Sequence, residues 1–395
     1  MFILQTMKDE SSQRKTKTVK IGGFAHVKAV NVGGDSPVVV QTMWKDRLCG
    51  SDLENTARRI EGLGGMGCRV LRFAVPDLDA AEILGRLARM VSMPLVADIH
   101  FDHRIALRCM DFPIAKIRIN PGNIGNKEKV RAVLEKAADG GIPIRIGVNA
   151  GSLPQDIGKR VGQGMNRAEA LVEAAERELA VFDEFGFDNV LVSMKASEIA
   201  DTINANRIFA GRMDVPLHVG VTEAGPLVAG VVRSSAALAP LLAEGIGDTV
   251  RVSLSDSMEN EVIAAREIRR AAAELASISG RSTDRLRQGG VSIVSCPKCG
   301  RHGFDTHGFM NRWLARLYAL DSDMTVAVMG CEVNGPGEAR HADLGITGAG
   351  DKVLIFRRGK VVRTVSVGEA DGAFENALRE TALREVVINE GEDDR

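Results

Sequence analysis

At 395 residues the chain is longer than one compact domain usually runs, so two domains are expected. Its 51 basic and 52 acidic side chains nearly cancel and aromatic residues make up 4%, so neither a global field nor stacking platforms favour nucleic acid or an anionic membrane. No apolar run approaches the roughly 20 residues of a membrane span. Met1–Gln5 lacks the basic head of a secretory signal, and six cysteines over this length make no disulfide scaffold, so the reducing cytoplasm is the expected compartment.

In chain order, residues 1–16 read as a flexible extension. Thr18–Ile21 and Val27–Val32, separated by Gly22-Gly23, predict a hairpin able to plug the floor of a barrel. From Pro37 a short Val/Ile-rich run, a polar loop and a helical stretch recur eight times. The runs are Val38–Thr42, Val70–Val75, Leu95–His100, Ala115–Asn120, Pro143–Asn149, Asn189–Lys195, Leu217–Glu223 and Thr249–Ser255. Amphipathic helices are expected between and after them, at Asp52–Leu63, Lys127–Ala138, Arg167–Glu184 and Glu259–Ala276. Continuous apolar runs alternating with helices imply parallel strands buried on both faces. Eight such units predict an α/β fold, a (β/α)8 TIM barrel, over residues 17–280. An open doubly wound sheet is the alternative, but no Gly-x-Gly-x-x-Gly follows the first strand. Ser279–Thr283, continuing to Gly289-Gly290, reads as a linker, and residues 281–395 as a small α+β domain with strands at Val291–Ser295, Thr325–Met329, Ala342–Thr347 and Lys352–Val367. Helices are expected there at Gly308–Leu320 and near the C-terminus, before a solvated acidic tail, Glu390–Arg395.

Active sites of such barrels lie at the C-terminal strand ends, and here those ends are polar. In strand order they carry Arg72; Asp98 and His100; Arg118 and Asn120; Arg145 and Asn149; Lys195; Glu223; Arg251 and Ser253. Residues two apart share a strand face, so Arg145, Gly147 and Asn149 point one way, and the glycine leaves room above the core. Four or five cations with few acids suit a small, multiply charged anion such as a phosphate or diphosphate. Glu223, an acid in a basic pocket, suits proton transfer; its plain alternative is a counter-ion for Lys195 or Arg145.

The second domain carries Cys296-Pro-Lys-Cys299, and Cys331 in Gly330-Cys331-Glu332-Val333-Asn334-Gly335-Pro336-Gly337-Glu338. Three sulfurs are one short of the usual four-cysteine iron–sulfur or zinc set. Glu338, on a Gly-Pro-Gly loop, could supply a labile oxygen ligand; a zinc ribbon completed by His302, His307 or His341 is the other reading, and spacing alone leaves the metal open. A pterin-binding-type barrel transferase with a zinc-stabilised appendage and an iron–sulfur sensor or scaffold are the rival functions.

Ala97-Asp98-Ile99-His100-Phe101-Asp102, Arg118–Gly125, Arg145–Leu153, His218–Gly225, Gly245–Leu254, the Cys296 pair and the Cys331–Glu338 loop closely resemble the 4-hydroxy-3-methylbut-2-enyl diphosphate synthases. The resemblance covers essentially the whole chain. It implies an iron–sulfur oxidoreductase of non-mevalonate isoprenoid biosynthesis. That enzyme converts 2-C-methyl-D-erythritol 2,4-cyclodiphosphate to 4-hydroxy-3-methylbut-2-enyl diphosphate by a two-electron reduction. It also implies a [4Fe–4S] cluster on Cys296, Cys299, Cys331 and Glu338, with electrons from flavodoxin or ferredoxin. A homodimer is implied as well, the cluster domain of one subunit closing over the barrel of the other. The substrate-binding residues expected on this basis are Arg72, His100, Arg118, Arg145, Asn149, Lys195, Ser253 and Asn334, with Glu223 and Glu338 catalytic. The chain departs from the family at Thr42-Met43-Trp44-Lys45-Asp46-Arg47-Leu48-Cys49, where Ser-Met-Thr-Asn-Thr is usual, and again between Gly348 and Arg363.

Overall fold

The computed structural model describes residues 14–287, 289–297, 299–300, 302–331, 335, 337 and 339–392. Two compact units part between residues 288 and 289.

The first unit opens with an antiparallel hairpin, β1 (Val19–Ile21) and β2 (Val30–Val32). Eight parallel strands follow: β3 (Val39–Met43), β4 (Val70–Ala74), β5 (Leu95–Asp98), β6 (Lys116–Ile119), β7 (Ile144–Asn149), β8 (Val190–Lys195), β9 (His218–Val219) and β10 (Thr249–Val250). They run in the order β8-β7-β6-β5-β4-β3-β10-β9, and a parallel bridge from Val192 to Leu217 joins the two ends, so the sheet closes on itself as the alternating apolar runs predict. β9 and β10 are shorter than expected. Beyond them pairing survives as isolated contacts, Thr222 N to Ala196 O, Arg251 N to Val219 O and a parallel bridge of Gly225 with Leu254, as the chain turns into loops.

Helices cover the outside of the ring for ordinary reasons. Lys127–Asp139 starts where Asn126 accepts from Lys129 N, and buries Val130, Val133, Leu134 and Ala137, one stripe at helical spacing. Arg167–Glu184 and Met258–Ile278 are capped in the same way by Asn166 and Ser257.

The hairpin is the floor. Val19, Ile21, Val27 and Val32 form one buried cluster with Val39, Val70, Val96, Ala115 and Leu191, which lie at or near the starts of barrel strands. Under the ring sits a charged clamp on Asp248, which is fully buried. Its carboxylate accepts from Leu217 N at 2.7 Å, Arg285 Nη2 at 2.5 Å and Thr16 Oγ1 at 3.3 Å, with Arg14 Nη1 at 3.6 Å. The clamp moves both expected boundaries. Arg14 and Thr16, assigned by sequence to a flexible extension, are buried. Residues 281–287, read as a linker, stay with the barrel because Arg285 holds Asp248 and the Ser36 carbonyl, while Arg269 donates to the carbonyls of Leu286 and Arg287.

The second unit is a five-stranded sheet, β11 (Ser292–Ser295), β12 (Thr325–Met329), β13 (Leu344–Ala349), β14 (Lys352–Arg357) and β15 (Lys360–Ser366), in sequential order. The first three are parallel and the last two antiparallel. Its core joins Phe309 and Trp313 of the helix Thr306–Tyr318 to Phe374 of the helix Ala370–Glu392, with ring centroids 5.0–5.6 Å apart. No helix among the described residues is long and apolar enough to cross a membrane.

Candidate active site

A barrel of this kind usually fills its interior with branched apolar side chains. Here only the floor layer is apolar. The same inward parity that buries Val39, Val70, Val96 and Leu191 sends Gln41, Arg72, Asp98 and Ser193 into the next layer. Lys116 Nζ donates to Gln41 Oε1 at 3.2 Å. His218 is within 2.7 Å of the Thr249 hydroxyl and 3.1 Å of Lys195 Nζ. Above this polar layer opens a cavity of about 220 Å³ at the C-terminal strand ends.

Basic side chains dominate that cavity. Arg72, Arg118, Arg145, Lys195 and Arg251 line it, and Asp98 is its sole lining carboxylate among the described residues. Arg118 Nη1 donates to Asp98 Oδ1 at 3.0 Å, Arg72 Nε lies 3.5 Å from Oδ2, and His100 Nε2 lies 3.6 Å from Oδ1. Burial alone would raise the Asp98 carboxyl, but His100 and the guanidiniums of Arg72, Arg118 and Arg145 outweigh it and hold the group far below the usual carboxylate range. Burial, partly offset by Asp98, lowers the Arg72 guanidinium to about 10. Gly147 is the space the sequence predicts: a Cβ there would lie 2.4 Å from Arg118 Nε.

Several donors have no hydrogen-bond partner. Nε of Arg72, Arg118, Arg145 and Arg251, and Nη1 of Arg145, are buried without a hydrogen bond. Arg145 is 1% exposed. A fold that buries unpaired guanidinium N–H groups around a cavity is stable enough to do so only because something else bears the cost, and an anion entering the cavity would satisfy them.

The structure brings most of the predicted binding residues together: Arg72, His100, Arg118, Arg145, Asn149, Lys195 and Ser253 all line this one cavity. Glu223 is not among the lining. It is exposed, one residue beyond the lining Thr222, with its backbone in the left-handed region at φ 53°. Asn334 and Glu338 lie outside the described residues. The departing segment after β3 is anchored. Trp44 stacks on Phe73 at 5.5 Å, and Lys45 reaches the buried Glu261 at 2.9 Å and the Leu254 carbonyl at 2.7 Å. Glu261 also accepts from Thr42 Oγ1 and Leu254 N and sits 3.4 Å from Arg251, so it steadies one cation of the mouth.

In the second unit, Cys296 follows β11 and Cys331 follows β12 by two residues; the strands are paired in register, Ser295 with Val328. Both cysteines thus leave one end of the sheet. A Cβ on Gly330 would lie 3.9 Å from Cys296 Sγ. His302 Nδ1 lies 2.6 Å from the Cys299 carbonyl oxygen. None of the six cysteines is in a disulfide. Among the described residues no group of three or more His, Cys, Asp or Glu side chains is gathered closely enough to hold a metal ion. A cavity of about 450 Å³ lies beside Cys296, with neither Cys299 nor Cys331 in its lining, and a soft thiol set suits zinc or an iron–sulfur group.

Residues 16–266 match the GcpE TIM-barrel domain and residues 292–380 the GcpE protein C-terminal domain. The chain belongs to the GcpE family. A GcpE-family relative from Treponema pallidum (strain Nichols), named 4-hydroxy-3-methylbut-2-en-1-yl diphosphate synthase (flavodoxin), is 52% identical over 387 residues, covering 96% of this chain and 93% of the relative. Proteins of the same name from Treponema denticola and Thermodesulfovibrio yellowstonii are 49% and 42% identical, over 90% and 93% of this chain and 94% and 99% of their own.

Within the GcpE barrel, sequence reasoning assigned no role to Lys116, His218 or Glu261. Strand parity could have found the first, since Lys116 shares a face with Arg118 and Asn120. His218 precedes the expected polar strand end by a full layer. Glu261 acts from a helix, where strand parity carries no signal.

Proposed function

We propose that this chain reduces 2-C-methyl-D-erythritol 2,4-cyclodiphosphate to (E)-4-hydroxy-3-methylbut-2-enyl diphosphate, taking up two electrons and one proton and releasing water. The observation that carries the proposal is the set of buried guanidinium N–H groups without partners around the barrel mouth, in a chain of the GcpE family. Arg145, Arg118, Arg72 and Lys195 supply the charge-assisted bonds a diphosphate needs, while Asn149, Ser253 and His100 add polar contacts that fix its orientation. Asp98 keeps Arg118 and Arg72 in place without neutralising the pocket. Glu223, at the rim, is the proton-transfer group of this reading, and Asn334 a further substrate contact.

Cys296, Cys299, Cys331 and Glu338 would hold a [4Fe–4S] cluster. When bound, such a cluster supplies the electrons one at a time. Flavodoxin is the donor in this reading, ferredoxin its alternative, and the working form a homodimer in the cytoplasm, where thiols stay reduced. The test is turnover of the cyclodiphosphate by anaerobically purified protein with reduced flavodoxin, followed by chromatography of the diphosphate product. Protein with a full complement of iron and sulfide that forms no product would refute the reading.

A further inference from the structure

Lys195 ends β8 inside the barrel, 8% exposed, and lines the mouth cavity. Its Nζ lies 3.1 Å from His218 Nε2, and His218 Nδ1 lies 2.7 Å from Thr249 Oγ1, a line of three groups running from the cavity into the barrel wall. Gly220 makes the space for it, because a Cβ there would lie 2.8 Å from Lys195 Nζ. The charged groups facing this amine are Arg145 from β7, Arg72 from β4, Arg118 from β6 and, just past β10, Arg251. Lys116 of β6 adds to the positive field at His218. Asn149, its register neighbour on β7, is neutral. The nearby carboxylates are engaged elsewhere, Asp98 by Arg118 and Arg72, and Glu261 by Lys45 and Arg251.

We propose that Lys195 rests on His218 as a neutral amine and takes up one proton when the diphosphate anion enters, so that substrate and proton bind together. The inference rests on the reading of the mouth as a diphosphate site and adds a linkage that the reading does not contain. Guanidiniums do not give up a proton in proteins, so the relief available to this crowded cluster is at its amines. Of the two, Lys195 faces the cavity, whereas Lys116 sits deeper, on Gln41. Burial pushes the Lys195 ammonium well below the ordinary lysine range, and the four guanidiniums push the same way. Burial, with the guanidinium of Arg145, also keeps His218 neutral, so its Nε2 lone pair can accept from the amine or from the ammonium while Nδ1–H donates to Thr249. The incoming anion supplies the missing counter-charge and restores the ammonium. Each phosphorus of the cyclodiphosphate carries a single acid group, ionised well below neutrality, so the proton comes from solvent.

The sign follows from linkage. The bound amine holds its proton more tightly than the free one, so affinity is highest at low pH. Between the two titrations it falls about tenfold per pH unit. The test is titration calorimetry of the anaerobically prepared holoprotein with cyclodiphosphate, without electron donor, at about pH 8 in buffers of different protonation heat. About one proton should be taken up per site by the wild type, and about none by Lys195→Arg, which keeps the charge but cannot shed it. Lys195→Met, neutral throughout, should likewise show none. Binding by the wild type with a heat independent of buffer overturns the proposal whatever the variants do, and so does uptake that persists in either variant. Failure of the wild type to bind the cyclodiphosphate at all would instead sink the diphosphate-site reading, and the proposal with it.

Discussion

Arg145 is a side chain on which stability and binding pull in opposite directions. It is 1% exposed, its Nε and Nη1 have no partner, and burial with Arg72 and Arg118 acts against its charge. Replacing buried ionic groups by apolar ones of similar size is worth about 1–4 kcal/mol. Methionine follows the arginine stem but leaves the guanidinium volume empty, so the lower part of that range applies, about 1–2 kcal/mol. For a domain of this size that is a rise in melting temperature of about 2–8 °C for Arg145→Met without ligand. Loss of a charge-assisted bond to diphosphate costs about 1.5–3 kcal/mol in affinity, roughly 10- to 150-fold. Thermal unfolding should therefore start higher in the variant, and the further rise on adding cyclodiphosphate should shrink. Calorimetric titration gives the affinity directly. A variant that melts below the wild type by the equivalent of about 2 kcal/mol or more would show that Arg145 holds the barrel together, and unchanged affinity would remove it from the binding set.

Asp248→Asn should cost about 3–5 kcal/mol in urea unfolding, because Arg14 and Arg285 are left buried without their anion; a loss under about 1 kcal/mol would mean the clamp is dispensable. Cys296→Ser, Cys299→Ser and Cys331→Ser should each lose iron and sulfide after anaerobic reconstitution, since a hydroxyl is a poor replacement for thiolate; full cluster content in any one removes that residue from the ligand set. His218 is held neutral by burial and by the guanidinium of Arg145, so below the unfolded value of about 6.5 the unfolded chain binds a proton that the native barrel refuses. Stability should then fall with pH by up to about 1.4 kcal/mol per unit, a component absent from His218→Gln; identical acid curves for the two would refute it.

The barrel was legible because its strands are apolar on both faces and its helices keep one stripe, so two periodicities alternate along the chain. Arg145–Asn149 shows how far parity reaches: three residues, one face, and the glycine where Arg118 crosses. What strand patterns hide is polarity supplied from other elements. Glu261 steadies Arg251 and Lys45 from a helix, and Asp248 gathers residues 14, 16 and 285 from both ends of the unit, which made an extension and a linker of segments that are neither. Glu223 was read as the end of a straight strand, whereas the chain leaves the ladder after Val219 and turns at Glu223 through a left-handed residue. The Cys-x-x-Cys spacing told of a chelate but not of its metal, and there the resemblance to a whole family carried more than the spacing could.

Strand β3 pairs with its successor β4 on one side and, on the other, with β10, matching Val39 to Thr249 and Val40 to Val250. During synthesis the first of these seams can form at once, but the second waits for a segment made roughly two hundred residues later. A nascent chain therefore carries an open strand edge through most of its translation, the kind of edge that recruits other chains. The hairpin made first can shelter the apolar floor during this interval, while the ring itself stays unsealed. Arg285 reaches Asp248 only after β10 has emerged, so the last residues of the unit latch a ring whose first strand was made long before.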